Sequence, residues 1–224
     1  MSRIPPDPLT HGSLRALLTR NGAEALTALR EASADPDQFI RRTAIEIIGR
    51  HPSGRDLHNV VLSALTDPSE YVVRAGCRII EDWKWDAVHD VVAALLRSTS
   101  RETRRTAIRT LSAIWRQADF QPVFHIYSGD TEPAVRREAA WTLREQVTSS
   151  DWLQLFEAFR TDDIPRHRVW ACDLAGNFGH PDATTLLDTL SSDRDGHVRK
   201  AAAKAVAALR EREPGAVVPR EIQT

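Results

Sequence analysis

Residues 35–44 read Asp35-Pro36-Asp37-Gln38-Phe39-Ile40-Arg41-Arg42-Thr43-Ala44, and the same outline returns five more times along the 224-residue chain. An acidic residue comes first, then polar residues, often an apolar residue, then Arg, then a small residue three positions on. The later copies run from Asp67 to Val73-Arg74-Ala75-Gly76-Cys77, from Ser98 to Arg104-Arg105-Thr106-Ala107, and from Asp130 to Arg136-Arg137-Glu138-Ala139. The last two run from Asp162 to Arg168-Val169-Trp170-Ala171 and from Asp193 to Arg199-Lys200-Ala201-Ala202. The arginines at 41, 74, 104, 136, 168 and 199 are spaced by 33, 30, 32, 32 and 31 residues. A fixed period of this length marks a repeat array.

Each copy reads as two helices. The acid is a good N-cap type, so the first helix is expected to begin at or just after it. Apolar residues at spacings of three and four follow, as in Ile40, Ala44, Ile45 and Ile48. A turn such as His51-Pro52-Ser53-Gly54 leads to a second apolar stripe at Leu57, Val60, Val61, Ala64 and Leu65. A helix pair of this size cannot bury its apolar face alone, so the pairs must stack. The expected fold is all-α, a right-handed α-solenoid of about six helix pairs. Residues 1–34 read as a degenerate N-terminal capping repeat, 35–212 as the array and 213–224 as a loose tail, within one domain overall.

The Asp…Val-Arg-x-x-Ala blocks and the Gly-His-Pro-Asp-Ala turn at 179–183 resemble the HEAT-repeat superfamily, specifically its short-repeat, bilin-lyase-like group. That resemblance implies interaction scaffolds for the most part, with scattered enzymes, a bilin lyase-like subunit among them.

Charge balance argues against a general attraction to nucleic acid or membrane: 30 Lys+Arg face 31 Asp+Glu, for a net charge of −1. No run of about 18 apolar residues occurs, and the first 20 residues lack a signal peptide's apolar core. Two cysteines fit a reducing compartment, and a cytoplasmic location is expected. The repeated arginines Arg41, Arg74, Arg104, Arg136, Arg168 and Arg199 are read as an intramolecular ladder, each fork gripping the acid of its own or the neighbouring copy. Cys77 is read as a small seam residue in the column of Ala44 and Ala107, with Cys172 one position past it. Arg42, Arg105, Arg137 and Lys200 have no repeated acid and are freer.

No His-Glu pair, glycine-rich phosphate loop or nucleophile elbow is present. No catalytic residue, metal ligand or cofactor is therefore assigned, and the chain leans away from enzymes. A preformed curved surface binding a protein partner through its concave face is the leading expectation. His58 and His89 fall at equivalent positions of second helices, a row continued by Gln121 and Leu153, while Trp152 joins Phe120 and Val88 in an apolar column. Trp85 stands at a turn, and Trp141 falls in a column of mixed character with Glu46, Ile79, Arg109 and Asp173, which marks it as a surface aromatic. The contact candidates are His58, Trp85, His89, Gln121, Gln154 and Trp141.

A second resemblance points to nucleic acid. Trp85-Asp86-Ala87-Val88-His89, Arg104-Arg105-Thr106-Ala107-Ile108 and Trp141-Thr142-Leu143-Arg144-Glu145 are similar, in order, to blocks of the HEAT-like alkylpurine DNA glycosylases. That likeness implies that Trp85 and Trp141 cradle a nucleotide and Arg105 meets the backbone. His89 stands where the family has its catalytic Asp, so a DNA-binding or DNA-repair role is carried as the alternative.

Overall fold

The computed structural model describes residues 10–19, 22–179 and 183–211. Among them run thirteen α-helices and no strand. Two short helices, α1 (His11–Arg15) and α2 (Ala23–Ala32), precede the array. The first helices of the successive copies are α3 (Gln38–Arg50), α5 (Glu70–Trp83), α7 (Arg101–Ala113), α9 (Pro133–Gln146), α11 (Pro165–Phe178) and α13 (Gly196–Arg210). Between them lie the second helices α4 (His58–Ala64), α6 (His89–Ala94), α8 (Phe120–Gly129), α10 (Trp152–Arg160) and α12 (Ala183–Ser191). The expected loose tail, 213–224, and part of the 179–183 turn lie outside the described residues.

Every first helix begins three residues after the repeated acid, later than the sequence reading places it. The acid is not the N-cap. Its side chain instead accepts a hydrogen bond from the N–H two residues on, closing an Asx turn that aims the chain into the helix. This bond links Asp35 to Asp37, Asp67 to Ser69, Asp130 to Glu132, Asp162 to Ile164 and Asp193 to Asp195, each at 2.8–2.9 Å. The Ser98 hydroxyl does the same for the Ser100 N–H at 3.2 Å. N-capping falls to the residue two later: Asp37, Ser100 and Asp195 each accept from a first-turn N–H.

The register of the second copy also differs from the reading by one residue. Counting six from the acid gives Arg41, Arg104, Arg136, Arg168 and Arg199, but Val73 rather than Arg74. The small seam position is accordingly Gly76, where an added Cβ would come within 3.2 Å of Ala64. Cys77 moves into the next column, shared with Ile45, Ile108, Ala140 and Cys172, all essentially fully buried. Burial pushes both thiols up to about 12. The column of Trp141 becomes Glu46, Arg78, Arg109 and Asp173, with Arg78 replacing the buried Ile79, and its side chains point outward or lie half-buried.

Second helices are entered through tight turns. At Gly54 a Cβ would lie 1.8 Å from the Ile48 carbonyl oxygen, so backbone approaches backbone where no side chain fits. The entry column Leu57, Val88, Phe120, Trp152 and Ala183 is buried throughout.

Contacts divide the described residues into two compact units, those up to 119 together with 125–139, and 120–124 together with those from 140 onward. In the first, α2 packs on α3, α3 on α5, and α5 on α7, while α4 and α6 lean on α5 and α7. Its core includes the fully buried Leu14, Leu29, Ile45, Ile48 and Leu57. In the second, α10, α12 and α13 pack around α11, over Leu155, Phe156, Phe159 and Leu187. Burying each such side chain contributes about 1.5–3 kcal/mol.

Candidate functional site

The repeated arginines act mainly on the chain itself. Arg41 donates from Nε and Nη2 to both oxygens of Asp67, each at 2.8 Å, and from Nη1 to the carbonyls of Asp35 and Pro36. Arg104 makes the same fork to Asp130 and reaches the carbonyls of Ser98 and Thr99. In the second unit Arg168 grips Asp193 at 2.7 and 2.9 Å and holds the carbonyls of Asp162 and Asp163. One guanidinium thus closes its own loop and clamps the next copy's acid. Arg136 and Arg199 donate to their own loop carbonyls, at Asp130 and at Asp193 and Arg194.

The paired side chains keep only 5–15% of their exposure. Burial opposes ionisation of Asp67, but the Arg41 fork and the Ser69 N–H outweigh it and hold the carboxyl below its ordinary value. The forks of Arg104 and Arg168 do the same for Asp130 and Asp193.

Arg74 is not in this ladder. One residue is about 100° of helix rotation, so Arg74 leaves the seam and joins the column of Arg42 and Arg105. The ladder position holds buried Val73, and the acid it would have met is Ser98.

An aromatic corner forms where α5 ends. Lys84 adopts the left-handed conformation (φ 51°), and the Trp85 N–H bonds back to the Ile80 carbonyl at 3.2 Å. A non-glycine residue there costs about 1–2 kcal/mol. The reversal sets Trp83 and Trp85 6.1 Å apart and turns Trp85 edge-on to His58 at 6.0 Å. The Arg55 guanidinium lies 4.9 Å from the Trp83 ring. His58 and Trp85, both candidates, are therefore brought together, His58 exposed and Trp85 half-buried.

His89, though equivalent to His58, is only 6% exposed and is not available as a contact. Its Nε2 meets both oxygens of buried Asp119 at 2.8 and 2.9 Å, and Nδ1 meets Asp90 at 3.1 Å. The Arg116 N–H also donates to Asp119. His89 is a strut between α6 and the turn before α8. Its hydrogen bond, before the nearby Arg116, holds the exposed Asp90 carboxyl below its ordinary value.

In the second unit, Gln121 and Gln154 pair amide to amide at 2.8 Å on an exposed surface. Trp141, 48% exposed, stands edge-on to buried Trp170 at 5.9 Å. The guanidinium of Arg144 lies 5.9 Å from Trp141 and 5.4 Å from Trp170, and that of Arg166 lies 5.5 Å from Trp170. His167 stacks under Trp170 at 5.0 Å. Sequence reasoning missed Arg55, Arg144, Arg166 and Trp170 as neighbours of the contact candidates. Helical spacing offered a signal for Arg144, three residues from Trp141.

Arg105, the cation of the nucleic-acid alternative, is occupied. It meets Glu102 at 3.2 Å and Glu138 at 3.4 Å. Trp85 and Arg105 belong to the first unit, and Trp141 to the second. Among the described residues no group of three or more His, Cys, Asp or Glu side chains is placed to hold a metal ion.

The family model described as HEAT repeats matches residues 59–144, 88–165 and 152–218. No curated protein matches the sequence. Among solved structures, the Escherichia coli protein YibA is 18% identical over 89% of this chain and 86% of its own, with a TM-score of 0.59. A designed armadillo repeat protein is 17% identical over 82% of this chain and 99% of its own, with a TM-score of 0.54. The complex of CpcE and CpcF of phycocyanin lyase from Nostoc is 16% identical over 92% and 91%, and its TM-score of 0.47 adds nothing to the comparison.

Proposed function

We propose that this chain, which belongs to the HEAT-repeat family, is a non-catalytic scaffold that presents a preformed surface to a protein partner. The observation that carries the reading is the half-exposed Trp141 seated on Trp170 beside Arg144 and Arg166. Trp and Arg are enriched at binding hot spots, and Trp buries much area at little conformational cost because only two side-chain torsions are fixed. A half-exposed indole with its floor already packed loses little freedom on binding. In the first unit, His58 and Trp85 offer a second anchor of the same kind, and the Gln121–Gln154 pair supplies polar contacts. His89 is withdrawn from the contact set because it is buried.

The nucleic-acid alternative through Trp85, Arg105 and Trp141 is weaker, because two carboxylates already hold Arg105. The bilin lyase-like alternative rests on family likeness alone. No described helix is long and apolar enough to cross a membrane, and the two buried thiols suit the reducing cytoplasm we assign to the chain.

A pull-down with tagged protein tests the reading. A stoichiometric protein partner is expected, and Trp141→Ala should weaken it by about 2 kcal/mol, roughly thirtyfold in Kd. Retention that Trp141→Ala and Trp85→Ala both leave unchanged, as the exposed-surface control Glu24→Ala should, overturns it.

A further inference from the structure

The one-residue offset that removes Arg74 from the ladder places it in a groove of about 700 Å³ between α3 and α5. Five arginines and two acids line that groove. Two of the arginines are committed: Arg42 pairs with Glu46 at 2.7 Å and Arg109 with Glu81 at 3.6 Å. The other three, Arg50, Arg74 and Arg78, form no ion pair among the described residues. Arg74 lies 5.1 Å from the Tyr71 ring, and Tyr71 lies 6.1 Å from Phe39. Both aromatics are exposed, at 38% and 47%. The groove thus holds three arginines without an ion pair among the described residues, and exposed aromatic surface runs from Tyr71 in its wall to Phe39 beside it.

We propose that this groove docks an acidic peptide segment of a partner protein. Its carboxylates meet Arg50, Arg74 and Arg78, and an apolar side chain rests on Tyr71 and Phe39. Guanidinium forks match carboxylates bidentately, and arginines with no ion pair among the described residues have no such pair to break on binding. Asp82 lines the same groove without an ion pair among the described residues. A fixed negative charge there opposes the unbroken phosphate track of a nucleic acid, whereas a peptide can set a neutral residue opposite it. The exposed aromatics call for apolar side chains in the same way. The inference rests on the scaffold reading and names the chemistry of one partner segment.

The probe is a fluorescein-labelled octapeptide of six glutamates, one leucine and one phenylalanine, followed by anisotropy with the full chain. Binding is expected at about 50 mM salt and should fall several-fold by about 300 mM. The double variant Arg74→Glu, Arg78→Glu should weaken it about tenfold or more, with circular dichroism confirming an unchanged helix content. Asp82→Asn removes a repulsive charge without touching the core, so it should tighten binding about two- to threefold. No binding at low salt, an affinity indifferent to both variants, or tighter arginine-dependent binding of a single-stranded dodecanucleotide overturns the inference. The scaffold reading fails separately, when partner retention is indifferent to Trp85 and Trp141.

Discussion

The seam between α3 and α5 and the seam between α5 and α7 are built alike except at one rung. Both carry a serine hydroxyl that donates to the first residue of the preceding copy's first helix, Ser69 to Gln38 at 2.6 Å and Ser100 to Glu70 at 2.7 Å. Both use an oxygen to close the loop turn. Only the first has the fork, Arg41 on Asp67. The second has lost both partners together, Val73 standing for the arginine and Ser98 for the acid. The repeated acid therefore has two separable duties. Ser98 keeps the turn and drops the clamp. Removing both charges leaves no carboxylate stranded, and that is the tolerable way to lose a buried pair.

The largest effect expected from this comparison is at an intact rung. Arg168→Ala leaves Asp193 nearly buried and unpaired, and should cost about 3–5 kcal/mol in urea unfolding. Arg74→Ala, outside the ladder, should cost about 0.5 kcal/mol or less. A similar loss at both sites would erase the distinction. The depressed carboxyls of Asp67, Asp130 and Asp193 add a pH signature. Each contributes stability that is present above about pH 4 and is lost as the pH falls from there through its lowered value.

The two equivalent histidines give the next contrast. His89→Ala strands Asp119 among buried groups and should cost about 2–3 kcal/mol, whereas exposed His58→Ala should fall within about 0.5 kcal/mol. Equal thermal shifts for the two would show that His89 is not a strut.

The smallest effect sharpens the comparison most. Installing the absent rung with Val73→Arg and Ser98→Asp should show a favourable coupling of about 1–2 kcal/mol in a double-mutant cycle. Zero coupling would mean that the α5–α7 seam cannot hold the fork.

The repeat, the helix pairs and the buried columns were legible because burial at spacings of three and four is imposed on every copy alike. The offset at Arg74 was hidden by a pattern that tolerated an acid-to-arginine spacing of seven. The constant spacing of six elsewhere, with the loss of acid at Ser98, was the available signal. It would also have placed Gly76, Cys77 and Arg78 in their columns. His89 was misjudged for a different reason. Its partner Asp119 lies 30 residues on, just before the entry column, at a position that also holds Asp56, Asp151 and Asp182 in other copies, so that repeated acid was the signal the candidate row passed over. The Asx turn was missed because an aspartate that caps a helix and one that closes the preceding loop look the same in sequence.

Sealing both native sulfurs inside the same column has a practical corollary. With the only two cysteines of the chain buried and their thiols raised to about 12, neither offers appreciable thiolate near neutrality. A cysteine introduced on the outer surface would therefore be alkylated alone, and spin probes or crosslinkers could be attached site by site with the wild-type background left in place.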